Sequence, residues 1–173
     1  MEDVAQIVRW HADANKFIRY FDLLYVTWES KIIVSEGQCA FIASGDRLLR
    51  RLDEGEHVLG LSEDDAIRSF FIYPKKKTDV PVKFWFLSLN GIVNYNSEDK
   101  KRVSITYRIC DSKKYFEFIL KNKLTDSKQI LETVRRAVEG IKEPIGYKTK
   151  TKVYCDTLKE IAAMDMVVNF YDV

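Results

Sequence analysis

Three cysteines, two histidines and the adjacent carboxylates Asp53-Glu54 and Asp64-Asp65 are the side chains from which this chain could build a reactive site. Cys39, Cys110 and Cys155 stand far apart in the sequence. Cys39 and Cys110 sit in apolar strand patterns, where a free cysteine behaves as a small hydrophobe, and for Cys39 that setting raises the thiol pKa and blunts it as a nucleophile. His57 follows Glu56 and could titrate near neutrality. Neither His11 nor His57 has a cysteine or carboxylate at ligand spacing, so both read as structural or surface residues and no bound metal is expected. Asp53-Glu54 and Asp64-Asp65 complete no recognisable acid–base set and read as solvated turn residues. No triad, metal set or glycine-rich phosphate loop can be assembled. The chain is therefore expected not to be an enzyme and to need no cofactor.

Two stretches could bind rather than react. Lys75, Lys76 and Lys77 fall at a hairpin tip and could contact an anionic surface, phosphate in RNA or a membrane, with Lys100-Lys101-Arg102 and Lys148, Lys150 and Lys152 extending the patch. A plainer reading is that lysines solvate loops and guard strand edges, and a run of three falls short of the roughly four to eight expected for lipid recognition. Phe84, Trp85 and Phe86, with Phe70-Phe71, could form a base-stacking or partner-binding surface, although such a cluster is more often simple core. Aromatic residues make up 13% of the chain, enough to leave some for association.

The composition sets the background for these stretches. A net charge of +2 from 28 basic and 26 acidic residues creates no global field to draw in nucleic acid, which is not expected as a partner. Hydrophobic residues at 46% and charged ones at 31% suit a globular fold, and 173 residues suit a single domain over 1–173. An odd cysteine count without a disulfide or CxxC framework points to a reducing, cytoplasmic compartment. MEDVAQIVRWH begins acidic and has no unbroken apolar core, so it does not read as a signal peptide, and no apolar run reaches the 18 or so residues that would span a bilayer.

The elements that must position these residues are mostly strands. Ile32–Val34, Cys39–Ala43, Leu48–Leu52 and the short piece Val58–Leu61 are separated by Glu36-Gly37, Ser44-Gly45-Asp46 and Asp53-Glu54-Gly55-Glu56, which predicts an antiparallel meander over Lys31–Leu61. Residues 1–30 fit helix or strand: Gln6–Trp10 could be an edge strand, Asp13-Ala-Asn15 a turn, and Tyr25-Val-Thr-Trp28 has strong strand propensity. Ser69–Tyr73 and Val80–Leu89 read as apolar strands, the second covered on both faces. Asn90-Gly91 is a turn signal, Asn94–Lys101 a polar loop, and Arg102–Cys110 a cleanly alternating strand. Asp111 or Ser112 caps a helix with Tyr115, Phe116, Ile119 and Leu120 as its apolar stripe. A second helix, opened by Thr125-Asp126 with Gln129 and running to about Lys142, carries Ile130, Val134, Ala137, Val138 and Ile141. Thr149–Cys155 is a weak strand, and Leu158–Phe170 reads as a third helix behind Asp156. Strands first and helices later predict an α+β domain, a curved and mainly antiparallel sheet with two or three helices along one side.

Ile33-Val34-Ser35-Glu36-Gly37-Gln38-Cys39-Ala40-Phe41, then Gly45, then Leu52-Asp53-Glu54-Gly55-Glu56-His57-Val58-Leu59 resembles the opening of the stomatin–prohibitin–flotillin (SPFH, band 7) domain. The later pieces keep that family's order: Phe84-Trp85-Phe86-Leu87, the strand Val103–Cys110, and Asp111-Ser-Lys-Lys-Tyr115-Phe116 leading into a helix. Ile7-Val8-Arg9-Trp10 and Tyr25-Val-Thr-Trp28 are similar to its soluble, virion-core-protein-like branch. The resemblance covers about residues 5–142, with 143–173 as a C-terminal strand and helix. It implies a non-enzymatic scaffold that self-associates as a homodimer or larger assembly and organises a protein partner, commonly near membranes. The competing expectation is a nucleic-acid-binding module using the Lys75–Lys77 tip and an aromatic sheet face.

Overall fold

Period-two alternation turns most of the described residues into strands, and they assemble in a computed structural model that describes residues 7–12, 15–26, 29–44, 47–59, 80–97, 102–139, 141 and 151–171, with only the backbone described at 23–25, 47, 80–81 and 151–152. The architecture is α+β, and every described strand pairing except one is antiparallel. The chain divides into two compact units, Met1–His11 with Ile18–Ser88 and Ala12–Phe17 with Leu89–Val173. No described helix is long and apolar enough to cross a membrane.

The first unit holds β1 (Ile7–Arg9), β2 (Ile18–Val26), β3 (Lys31–Val34), β4 (Gln38–Ser44), β5 (Arg47–Leu52), β6 (Gly55–Val58) and β7 (Val80–Ser88). They form a three-stranded sheet in the order β1-β3-β6 and a four-stranded sheet in the order β2-β7-β4-β5. The first three strands of Lys31–Leu61 fall where their apolar runs predict, whereas the fourth is Gly55–Val58 and not Val58–Leu61, and together they are not a meander. β3 pairs with β6 and, in parallel, with β1, whereas β4 pairs with β5 and β7. Gly37, at φ 72°, takes the left-handed conformation that a side chain resists, and the reversal it allows carries the chain from one sheet to the other. Ile32 and Val34 of the first sheet then share a core with Ala40, Ile42, Phe84 and Phe86 of the second. Apolar area is buried face to face there, which side-by-side pairing of β3 and β4 would not have achieved. The predicted break at Asp53–Glu56 is also shorter, because strand geometry resumes at Gly55 and Lys31 Nζ meets Glu56 Oε2 at 2.8 Å.

The second unit holds β8 (Asn90–Asn96), β9 (Arg102–Ile109), α1 (Ser112–Lys121), α2 (Ser127–Glu139), β10 (Thr151–Cys155), α3 (Lys159–Ala162) and β11 (Met164–Tyr171), with one sheet in the order β10-β11-β9-β8. β9 buries every second residue, Val103, Ile105, Tyr107 and Ile109. Asp111 Oδ1 accepts from the amides of Lys113 and Lys114 at 3.0 Å each and starts α1. The helix ends in a Schellman motif: Lys123 at φ 53° donates to Leu120 O and Leu124 donates to Ile119 O. Tyr115, Phe116 and Ile119 are buried as expected, but Leu120 is exposed, because it lies beyond the edge of that stripe. The capping box of α2 forms in full. Asp126 Oδ1 accepts from the amides of Lys128 and Gln129, while Gln129 Oε1 accepts from those of Thr125 and Asp126.

Two expectations fail in this unit. Asn90-Gly91 is not a turn, and Asn94–Asn96 is not loop: all lie in β8, with Gly91 opposite Tyr107. A Cβ built on Gly91 would stand 3.0 Å from Tyr107 Cε1, so the glycine is there because the tyrosine ring crosses it. Leu158–Phe170 is not a helix either. Its helical part is the single turn Lys159–Ala162, Ala163 reverses the chain at φ 50°, and Met164–Tyr171 is an inner strand. Met164, Met166 and Val168 alternate into the core while Ile161, assigned to the helical stripe, is exposed. Period two over eight residues with Val167, Val168, Phe170 and Tyr171 outweighs a four-residue stripe.

Candidate functional site

A cluster of four titratable side chains, brought together by strand pairing, lies in the second unit. Asp165 on β11 accepts a hydrogen bond from the Cys110 thiol at 2.9 Å on Oδ2 and from the Tyr154 hydroxyl at 2.8 Å on Oδ1. Lys159 of α3 stands 3.4 Å from Asp165 Oδ1 and 3.3 Å from the Tyr154 oxygen, with its ammonium 5.8 Å from the Tyr154 ring centroid. The placement follows from the register. Tyr154 pairs with Val167 on the neighbouring strand, Asp165 pairs with Arg108, and Cys110 follows the end of β9, where its amide donates to Ala163 O at 2.9 Å.

The electrostatics of this cluster restrain the thiol. Its hydrogen bond to the Asp165 carboxylate, then desolvation, then that carboxylate's charge hold the Cys110 thiol above its usual range. The same bond, followed by the one from Tyr154 and the attraction of Lys159, holds Asp165 below the ordinary carboxylate range. Tyr154 and Asp165 together raise Lys159. A nucleophilic cysteine needs a neighbour that takes its proton, and a carboxylate already satisfied on both oxygens is a poor base. The four side chains therefore act as a clasp joining β10, β11, α3 and the end of β9. Cys110 is exposed just past β9, not inside an apolar strand as its sequence setting suggests. Asp165, Tyr154 and Lys159 carry no sequence signal for this role, because only strand pairing brings them together.

Residues singled out in the sequence are placed as follows. Phe84, Trp85 and Phe86 are buried, with 0%, 8% and 0% of their surface exposed, so as placed they offer no stacking face to a base or a partner. Phe84 and Phe86 belong to the core between the two sheets of the first unit, while Trp85 points to the opposite face of β7 and packs its ring 4.9 Å from that of Tyr20. Lys75, Lys76 and Lys77, Asp64-Asp65 and Ser69–Tyr73 lie outside the described residues. His57 Nε2 is 2.7 Å from Asp53 O, a local turn contact, and no group of three metal-ligating side chains occurs among the described residues. Cys39 is buried, as is Cys155.

The sheet edges carry a different kind of feature. Ile7 on β1, Leu48 on β5, Ile92 on β8 and Tyr154 on β10 are each more than half exposed, and among the described residues each of these strands is the edge of its sheet. On the outer side of β8, Asn94 is met by a side chain: its amide donates to Asn15 Oδ1 at 2.8 Å and its carbonyl accepts from Asn15 Nδ2 at 3.2 Å. Comparison of the chain with protein-family models, with curated proteins and with solved structures finds no match.

Proposed function

We propose that the protein is a non-enzymatic scaffold that self-associates and organises partners, the role its resemblance to the SPFH domain implies, and that it does so through strand edges. The observation that supports this reading is the location of the exposed apolar side chains. Four of the six large ones among the described residues, Ile7, Leu48, Ile92 and Tyr154, sit on edge strands, and the three sheets each contribute at least one. An edge strand presents N–H and C=O groups without a ladder partner, so an apolar side chain there favours pairing with another strand. The clustered titratable groups raise the Cys110 thiol above its usual range, which lends a chemical role no comparable support.

A symmetric dimer is the commonest closed assembly, and a stable one buries more than about 1,000 Å² in total. Sedimentation equilibrium at micromolar concentrations should therefore give an average mass above the 20.3 kDa of one chain. A mass that stays at one chain across the whole concentration range overturns the proposal.

A further inference from the structure

The edge strands of the three sheets are not alike in charge. β1 carries Arg9, β2 carries Arg19 and Asp22, β5 carries Arg50 and Arg51, β6 carries Glu56, and β10 has Lys152 in its sequence. Charged residues of this kind are the usual guard against edge-to-edge pairing. β8, Asn90-Gly-Ile-Val-Asn-Tyr-Asn96, has none.

What stands at its edge is the Asn15 carboxamide. In an antiparallel ladder a residue turns its N–H and C=O to the same side, and residues two apart share that side. Asn94 turns both groups outward, and Asn15 meets them with one acceptor and one donor, the two bonds a residue on an adjacent strand would make. Ile92 shares this outward direction, while Gly91, Val93 and Tyr95 face β9. Asn15 is held in place by its surroundings: its φ of 64° marks a tight reversal, the Phe17 amide donates to Ser127 Oγ at 2.9 Å, and the Phe17 ring lies 4.9 Å from that of Tyr107.

We propose that β8 is the joint between two copies of this chain, paired antiparallel about Val93, and that the Asn15 carboxamide is a displaceable plug on it. This rests on the self-association reading and names its site. A two-fold axis at Val93 sets Ile92 of each copy opposite Asn94 of the other. Both residues turn their backbone groups outward, so the register makes hydrogen-bonded pairs, brings no like charges together and covers the exposed Ile92 side chain twice. The result is a continuous sheet running β10-β11-β9-β8 and back through the second copy. Each copy gives up its two Asn15 bonds to form the pair, so the plug opposes the joint with bonds of the same kind that the joint makes.

The test is to replace Asn15 with glycine, which keeps the left-handed conformation and removes only the carboxamide. Asn15→Gly should tighten the dimer at least ~10-fold by sedimentation, the loss of two competing hydrogen bonds per chain. The amides of Ile92 and Asn94 should gain protection from hydrogen exchange as concentration rises. Adding Ile92→Lys to Asn15→Gly should return the chain to the monomer, since this exposed position tolerates a charge in the fold and not in the joint. An Asn15→Gly chain that associates no more tightly than the parent, with those two amides unprotected, overturns the proposal. A parent dimer that the Asn15→Gly/Ile92→Lys chain forms equally well also overturns it, and leaves self-association standing through another edge. A monomeric parent with a dimeric Asn15→Gly chain overturns resting self-association and supports the plug.

Discussion

Asp165 decides the chemistry of Cys110, because the thiol it binds must lose its proton beside a negative charge. Replacing it by asparagine removes that charge and leaves Lys159, whose attraction lowers the thiol pKa. Asp165→Asn should move the pH midpoint of Cys110 alkylation downward and speed the reaction at neutral pH by roughly 3–10-fold. An unchanged midpoint would show that the carboxylate does not govern the thiol. The signs for stability follow from the same shifts. Asp165 is depressed, so its contribution is present above the unfolded carboxylate pKa and is lost as pH falls through its folded value. Cys110 and Lys159 are raised, so theirs are present below their unfolded values and are lost as pH rises through the folded ones. Urea unfolding should thus separate the parent from Asp165→Asn across neutral pH, and the gap should close in acid.

The segment after Cys155 is where two periodicities compete, and the strand wins over most of it. A helix over Leu158–Phe170 would bury Ile161 on its stripe and leave Met166 off it; in the structure Met166 is fully buried on β11 and Ile161 is exposed. Met166→Ala should therefore cost about 2–4 kcal/mol, the range for a large-to-small change in a packed core. Ile161→Glu should stay within about 0.5 kcal/mol, as exposed changes do. A large loss at Ile161 with a small one at Met166, measured by urea denaturation, would restore the helix. α2 shows the opposite case, in which local chemistry is enough. Its four capping bonds all lie between residues no more than four apart, so they are encoded where they act.

In the molecule as a whole, the aromatic run of β7 belongs to the interior. A Trp85→Glu chain should lose its near-ultraviolet circular dichroism and its cooperative unfolding, because an unpaired carboxylate would be placed at a site with 8% exposure. A folded Trp85→Glu monomer obtained from a parent dimer would put Trp85 at the association surface instead. The edges are the remaining candidates, and pairing at the uncharged β8 should depend little on salt.

Sequence alone determined the α+β class, the strands at Ile32–Val34, Cys39–Ala43, Leu48–Leu52, Val80–Leu89 and Arg102–Cys110, and the caps of α1 and α2. Each rests on a period or a short-range bond visible within a few residues. Tertiary structure decided which strands became neighbours. Gly37 reads as a hairpin turn, yet the strands on either side join different sheets, since the apolar faces of β3 and β4 gain more by packing on each other than by lying side by side. Gly91 reads as a turn until Tyr107 is seen across it. The Cys110 clasp and the Asn15 plug are likewise invisible in order of residues: Cys110 and Asp165 are 55 positions apart, Asn15 and Asn94 are 79. Hydrogen-bond partners so distant leave no spacing to read, because the chain between them can take any path that the packing of its own core allows.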